Sequence, residues 1–315
     1  MRIKKRTSII TLSIILTILI ISGGVFAQEF PVTITDGLGS EVTIEEKPLK
    51  IISLSPQTTE NLFAVGAGEN VIGVTTYADY PEAATKVDKI GTITEPNIEK
   101  IVAMEPDLVI AASVNKMETI NRLKELNIKV AGFSANSVDT AIENIKKIGE
   151  ITGNQDTAEK LTADMYIKIS EMKDLIDKKL SNNDRPKVFY ELWSDPLYTA
   201  GVDNFIDDLI HMAGGYNIGR LAETQWPQFS LEKLLVEDPE VYISTPHSAE
   251  MKVSKESIKN RERFKNIAAI KNNRVYIIDQ NILNRASPRL LKGLSQLTMA
   301  IWPDLEAEVK QIIEK

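Results

Sequence analysis

The 315-residue sequence predicts an α/β protein of two similar lobes, each a mainly parallel sheet covered by helices, joined by one long helix. Three observations predict it. First, residues 97–110 (NIEKIVAMEPDLVI) and 230–243 (SLEKLLVEDPEVYI) align without a gap, with Glu99, Lys100, Pro106 and Ile110 falling on Glu232, Lys233, Pro239 and Ile243. Second, apolar strand-length runs alternate with helix-length ones after Pro48 and again after Pro186, the order that produces parallel sheets. Third, an amphipathic run from Gln155 to Ser181 lies between the two repeat copies.

The chain opens with Arg2, Lys4, Lys5 and Arg6, then an apolar run from Ile9 to Ile21, then Val25 and Ala27 as small residues before a cut. This predicts a signal peptide over 1–27 and an exported protein; the alternative is an uncleaved membrane anchor. Without that segment Lys+Arg falls from 37 to 33 against 44 Asp+Glu, a net charge of −11. Such an acidic body is a poor partner for nucleic acid or anionic lipid. The sequence holds no cysteine, which excludes disulfides, thiolate metal sites and cysteine nucleophiles. A lipid-modified cysteine at the signal junction is excluded on the same ground, so the expected location is the periplasm or the outer face of the cytoplasmic membrane, not as a lipoprotein.

Val32 to Ile44 reads as a hairpin around Asp36-Gly-Leu-Gly39. In the first lobe (28–154), strands are expected at Ile51–Leu54, Val71–Val74, Leu108–Ala111 and Lys129–Phe133. Helices are expected at Thr58–Val65, Ile98–Met104, Met117–Leu126 and Val138–Thr152. In the run assigned to the connector (155–183), Ala158, Leu161, Met165, Ile169, Met172, Ile176 and Leu180 recur at helical spacing. At 1.5 Å per residue it spans about 40 Å, enough to cross from one lobe to the other. The second lobe (184–315) has expected strands at Val188–Leu192, Val241–Ser244 and Arg274–Ile278, and helices at Phe205–Met212, Leu231–Val236 and Pro288–Met299.

No HExxH, GxSxG or phosphate-loop pattern occurs. Gly66-Ala-Gly68 follows a helix rather than a strand and reads as a helix C-cap. Of the two histidines, His211 reads as a surface or packing residue, and His247 follows Pro246 in a loop. Asp207 and Asp208 read as solvated surface. The aromatic residues carry more: Tyr77 and Tyr80 in TTYADYP, Trp193 and Tyr198 in ELWSDPLYTAG, and Trp226 in QWPQFS all fall in loops. Ligands of open α/β sheets bind outside the carboxyl ends of strands, where aromatic rings provide flat apolar area. Each ring is either such a surface or an anchor for its own loop. In NILNRASPR, Ser287 and Pro288 read as N-cap and first residue of a helix, and Arg285 faces the cleft or forms a plain ion pair. Glu99 and Glu232 sit at the second position of their helices, where a carboxylate is favoured by the helix dipole. They read either as helix stabilisers or as a matched pair of docking residues.

The segments SLSPQTTE, TTYADYP, PNIEKIVAMEPDLVIA, WPQFSLE and RASPR, spread over both lobes, resemble the substrate-binding proteins of ABC importers for vitamin B12, ferric siderophores and haem, and the B12-binding branch above all. The resemblance implies a class III periplasmic-binding-protein architecture, two Rossmann-like lobes on one rigid helix. It implies no enzyme activity and no cofactor, but a small ligand held between the lobes: a corrinoid, with an iron chelate or haem as the alternative. It places Tyr77, Tyr198, Trp226 and Arg285 at the ligand, with Leu192 and Asn281 as neighbours, and assigns Glu99 and Glu232 to arginines on a permease dimer that carries ATPase subunits. Ile93 stands where the B12 binder has a cleft tryptophan, and Trp193 is the candidate replacement from the other lobe. Asn281 stands where that branch has an acid. A monomer is expected.

Overall fold

The computed structural model describes residues 30–246 and 253–315; the expected signal peptide and His247 lie outside the described residues. The chain opens with an antiparallel hairpin of β1 (Val32–Thr35) and β2 (Glu41–Ile44). Asp36 closes it, its carboxylate accepting from the backbone N–H groups of Leu38, Ser40 and Gly132. The hairpin is thereby tied to the first sheet.

That sheet contains β3 (Ile51–Ser53), β4 (Val71–Val74), β5 (Asp88–Lys89), β6 (Leu108–Ala112) and β7 (Val130–Phe133) in the order β5-β4-β3-β6-β7. Every pairing is parallel. A second parallel sheet contains β8 (Lys187–Glu191), β11 (Tyr216–Asn217), β12 (Val241–Ser244) and β13 (Val275–Ile277) in the order β11-β8-β12-β13. Between β8 and β11 a small hairpin of β9 (Trp193–Ser194) and β10 (Leu197–Tyr198) stands apart from the sheet. The two orders match strand for strand, with β5 as an addition to the first. In each, the chain moves outward on one side of a central strand and then returns to its other side. The reversal falls between β3 and β6, and between β8 and β12. Such switch points are where open sheets leave a crevice at their carboxyl ends.

The helices of the first sheet are α1 (Pro56–Ala64), α2 (Glu82–Thr85), α3 (Ile98–Ala103), α4 (Met117–Glu125) and α5 (Val138–Ile151); then α6 (Gln155–Leu180) leads to the second. The second sheet carries α7 (Phe205–Met212), α8 (Leu231–Glu237), α9 (Lys255–Lys259), α10 (Ala268–Lys271), α11 (Gln280–Leu283), α12 (Leu290–Ile301) and α13 (Glu306–Glu314). Serine and asparagine begin many of them: Ser55, Asn97, Ser137, Asn204 and Ser230 each accept a backbone N–H of the first turn. Gly66, at φ 88°, ends α1 as expected, with Ala67 N–H donating to the Leu62 carbonyl.

α6 buries Ala158, Met165, Met172 and Ile176, part of the expected stripe, with Leu161 and Ile169 packed at the edge. It lies on α5 at one end and on α7, α12 and α13 farther along, so it belongs to both halves. Among the described residues no helix is long and apolar enough to cross a membrane.

The Asp207/Asp208 expectation is corrected. Asp208 accepts from Val138 N–H at the start of α5, across the two halves, and Asp207 accepts from Asn217 and pairs with Arg220. Burial pushes the Asp207 carboxyl up, against the lowering by Asn217 and Arg220. Asp207 is thus held by side chains of its own half and Asp208 by a backbone N–H of the other, partners that spacing cannot reveal.

Candidate functional site

The carboxyl ends of both sheets face a shared cavity of about 470 Å³. Ser55, Pro56 and Gln57 reach it from the turn after β3, Thr76, Tyr77 and Asp79 from the loop after β4, Ile93 from the loop after β5, and Val114 from beyond β6. Gln280, Asn281, Asn284 and Arg285 close it from the segment after β13. Asn115 holds the first wall together: its side-chain N–H groups donate to the carbonyls of Leu54 and Ile93, and its oxygen accepts from Ala112 N–H. Asn284 is fixed from behind by the Tyr190 hydroxyl, which donates to it at 2.7 Å.

The polar character of this lining is specific. Four side-chain carboxamides (Gln57, Gln280, Asn281, Asn284) line it, together with one cation, Arg285, and one anion, Asp79. Arg285 donates to Asp79, to Asn281 and, beneath them, to Glu60 of α1 at 2.8 Å. Glu60 has only 1 % of its side chain exposed. It also accepts from Arg289, whose Nε lies at 2.9 Å, and from the Ser287 hydroxyl at 2.6 Å. The Arg289 guanidinium lies 4.2 Å from the centre of the Tyr80 ring. Two arginines of one half therefore close on a buried glutamate and an exposed aspartate of the other. A carboxylate so enclosed is stable because its charge and lone pairs are matched.

Arg285 combines the two readings offered for it: it lines the cavity and is the shared member of an ion-pair network across the halves. Ser287 is not the N-cap of the following helix: its hydroxyl donates to Glu60 at 2.6 Å and accepts only a long 3.4 Å bond from Arg289 N–H, and α12 begins after Arg289 with no side-chain cap.

Of the residues expected at a ligand, the structure brings Tyr77, Asn281 and Arg285 into the cavity wall. Leu192, Trp193, Tyr198 and Trp226 stand outside that lining, in one assembly of the second half. Trp193 and Tyr198 are cross-strand partners in the small hairpin, and Leu192 N–H donates to the Tyr198 carbonyl. Thr199 N–H donates to the Pro227 carbonyl and Phe229 N–H to the Leu197 carbonyl, which stitches the Trp226 loop to the same hairpin. Trp193 and Trp226 are exposed. Glu60, Asp79 and three of the carboxamides, Gln57, Gln280 and Asn284, went unnoticed in the sequence. The one available signal was the second arginine of RASPR, since Arg289 beside Arg285 calls for an acid in the opposite half.

Glu99 and Glu232 occupy equivalent places. Each follows a capping residue, Asn97 or Ser230, which accepts from Lys100 or Lys233 N–H. Lys100 and Lys233 each tie their ammonium to a backbone carbonyl, of Lys89 and Leu221. Both helices end on an acid in the left-handed region, Glu105 and Asp238, each with φ 47°. Both glutamates are exposed, but Glu232 is bound at 3.0 Å by Arg263. Its own backbone N–H and then Arg263 hold its carboxyl below the usual carboxylate range. Glu99 has no ion-pair partner among the described residues.

Two parallel α/β halves of like topology, clasped across a cavity and spanned by one helix, define a two-lobed small-molecule binding protein. The family model described as "periplasmic binding protein" matches residues 51–282, and the chain belongs to that family. It is a binding protein and not an enzyme. An uncharacterized ABC transporter substrate-binding lipoprotein of Bacillus subtilis is 33% identical over 88% of this chain and 87% of its own length. A cobalamin-binding protein of Halobacterium salinarum is 28% identical over 87% of this chain and 75% of its own. The periplasmic haem-binding protein of a Roseiflexus species superimposes with a TM-score of 0.73 at 25% identity, over 81% of this chain and 98% of its own. The expectation that the protein is not a lipoprotein is corrected by the first of these, whose name makes it one.

Proposed function

We propose that this is the extracytoplasmic binding component of an ABC importer and that its ligand is a corrinoid, cobalamin or a precursor. The observation that carries the ligand class is the neutrality of the cavity: four carboxamides, with Arg285 and Arg289 balanced by Glu60 and Asp79. A corrin ring has apolar faces and a rim of uncharged amides, which both donate and accept. Such a rim is satisfied by asparagine and glutamine and requires no surplus cation. Haem presents two carboxylates and most iron chelates carry net negative charge, so each favours a positively charged site. The name of the Halobacterium relative supports the same reading.

In this reading Tyr77 stands against the ring from one lobe, and Tyr198 and Trp226 from the other, with Trp193 and Leu192 beside them. Asn281 and Arg285 meet the amide rim. Burial contributes roughly 25 cal/mol per Å² of apolar area before ordering costs. The lobes extend over 28–154 and 184–315, the protein acts as a monomer, and Glu99 and Glu232 dock it on a permease dimer that carries the ATPase subunits.

The test is competitive. The purified protein is incubated with equimolar cyanocobalamin, cobinamide, haemin and a ferric catecholate, desalted, and examined by native mass spectrometry. A corrinoid adduct is expected; an adduct with haem or the ferric chelate would replace this reading. Trp226→Ala should lower corrinoid retention about tenfold or more while leaving Tm unchanged, the scale of losing one stacked aromatic. Unchanged retention removes Trp226 from the site.

A further inference from the structure

The interlobe clasp has an inner and an outer part. The inner acceptor, Glu60, is buried, and Arg285, Arg289 and Ser287 all converge on its carboxylate. The outer acceptor, Asp79, has 51 % of its side chain exposed. It takes Arg285 on one oxygen and Asn281 on the other, the latter at 3.1 Å. Both donors belong to the cavity wall, and so does Asp79 itself. Exposed ion pairs are weak and exchange readily, whereas an enclosed one is costly to break. Arg285 can thus turn a donor toward a ligand by releasing Asp79, while Glu60 continues to hold it and keeps the lobes together.

We propose that Asp79 is a specificity residue of the cavity: it competes with ligand for Arg285 and Asn281, and its charge disfavours ligands that bring a carboxylate to that place. An amide carbonyl accepts from Arg285 without adding charge. A carboxylate there faces Asp79, with Glu60 already opposing the two arginines. Discrimination by a repulsive neighbour needs no better contact with the favoured ligand. The inference rests on the corrinoid reading for its choice of probe.

The experiment compares cyanocobalamin with its monocarboxylic acid derivatives, in which one ring amide is replaced by a carboxylate, at low ionic strength where screening is least. Wild-type protein should bind the acids more weakly. Asp79→Ala and Asp79→Asn should strengthen cyanocobalamin binding by about twofold and the best-bound acid by about fivefold or more, the scale set by one exposed charge pair. An unchanged ratio between acid and amide, or a loss of affinity for both, overturns the proposal; loss would make Asp79 an ordinary ligand contact. Hydrogen exchange separates this from a failure of the corrinoid reading, because it needs no ligand. Asp79→Ala should speed amide exchange in 75–81 and 279–285 and leave α1 unchanged. If wild-type protein binds neither corrinoid, the ligand reading falls, and unaltered exchange in those two segments then overturns the clasp as well.

Discussion

The repeat around Glu99 and the repeat around Glu232 share a backbone device down to single hydrogen bonds. Asp107 N–H donates to the Lys50 carbonyl at 2.9 Å, and Glu240 N–H to the Lys187 carbonyl at the same distance. The carboxylates of Asp107 and Glu240 return to the N–H groups of Lys50 and Lys187. Yet the two glutamates differ: Glu232 is engaged by Arg263 and Glu99 is not. What repeats is the means of presenting a carboxylate at a helix start. What does not repeat is the neighbour that decides how available it is. Arg263 comes from a short turn ahead of α10, a part of the second lobe outside the repeat.

The largest effect expected from this comparison is on transport. Glu99→Lys with Glu232→Lys should abolish ligand uptake in cells while the ligand Kd stays within about twofold, since neither residue lines the cavity. Uptake that survives both reversals reduces the pair to helix stabilisers. Singly, Glu99→Lys should slow uptake more than Glu232→Lys, because Glu232 must first leave Arg263; equal effects would erase the asymmetry.

Stability should follow the lobe junction rather than the repeats. Glu60→Ala strands Arg289, leaves Arg285 with only the exposed Asp79 as an ion partner, and should cost about 3–5 kcal/mol in denaturant unfolding. A loss below about 1 kcal/mol would mean that water replaces the carboxylate. Asn97→Ala and Ser230→Ala should each cost about 1 kcal/mol and by similar amounts. A large difference between them would show that the two devices are alike in geometry only. Arg263→Ala should leave Tm unmoved, as expected for an exposed ion pair, while raising the contribution of Glu232 to uptake.

The fold was legible where burial shows itself as periodicity. β6 and β12 are continuous buried runs, and both appear in the sequence as unbroken apolar stretches after a proline. The repeat predicted two lobes of one topology, and the matching strand orders are its consequence. Helix ends were legible where a side chain caps its own helix, as at Asn97 and Ser230. They were not legible at Ser287, because its hydroxyl is drawn to Glu60, 227 positions away. The site was harder for the same reason. Tyr77 and Arg285 stand out by residue type, but Glu60 lies in a run of polar residues on α1, where charge ordinarily means solvent. Thr58, Thr59, Glu60 and Asn61 are nonetheless all buried: the two threonines bond within the first lobe to Ser53 and Ser55, while Asn61 and Glu60 are met by the second lobe at the Ala286 carbonyl and at Arg285, Ser287 and Arg289. Nothing local in the first lobe announces a contact that the second one makes. Asp79 was in view between two tyrosines, and only its partners across the cavity give it a role.

A neutral, amide-lined cavity should take a corrinoid. Calorimetric titration of the purified protein, lacking residues 1–27, with cyanocobalamin tests this most directly. Saturable one-to-one binding at submicromolar Kd is the predicted result. No heat at any concentration up to the solubility of the ligand, together with saturable binding of haemin or a ferric chelate, would contradict it.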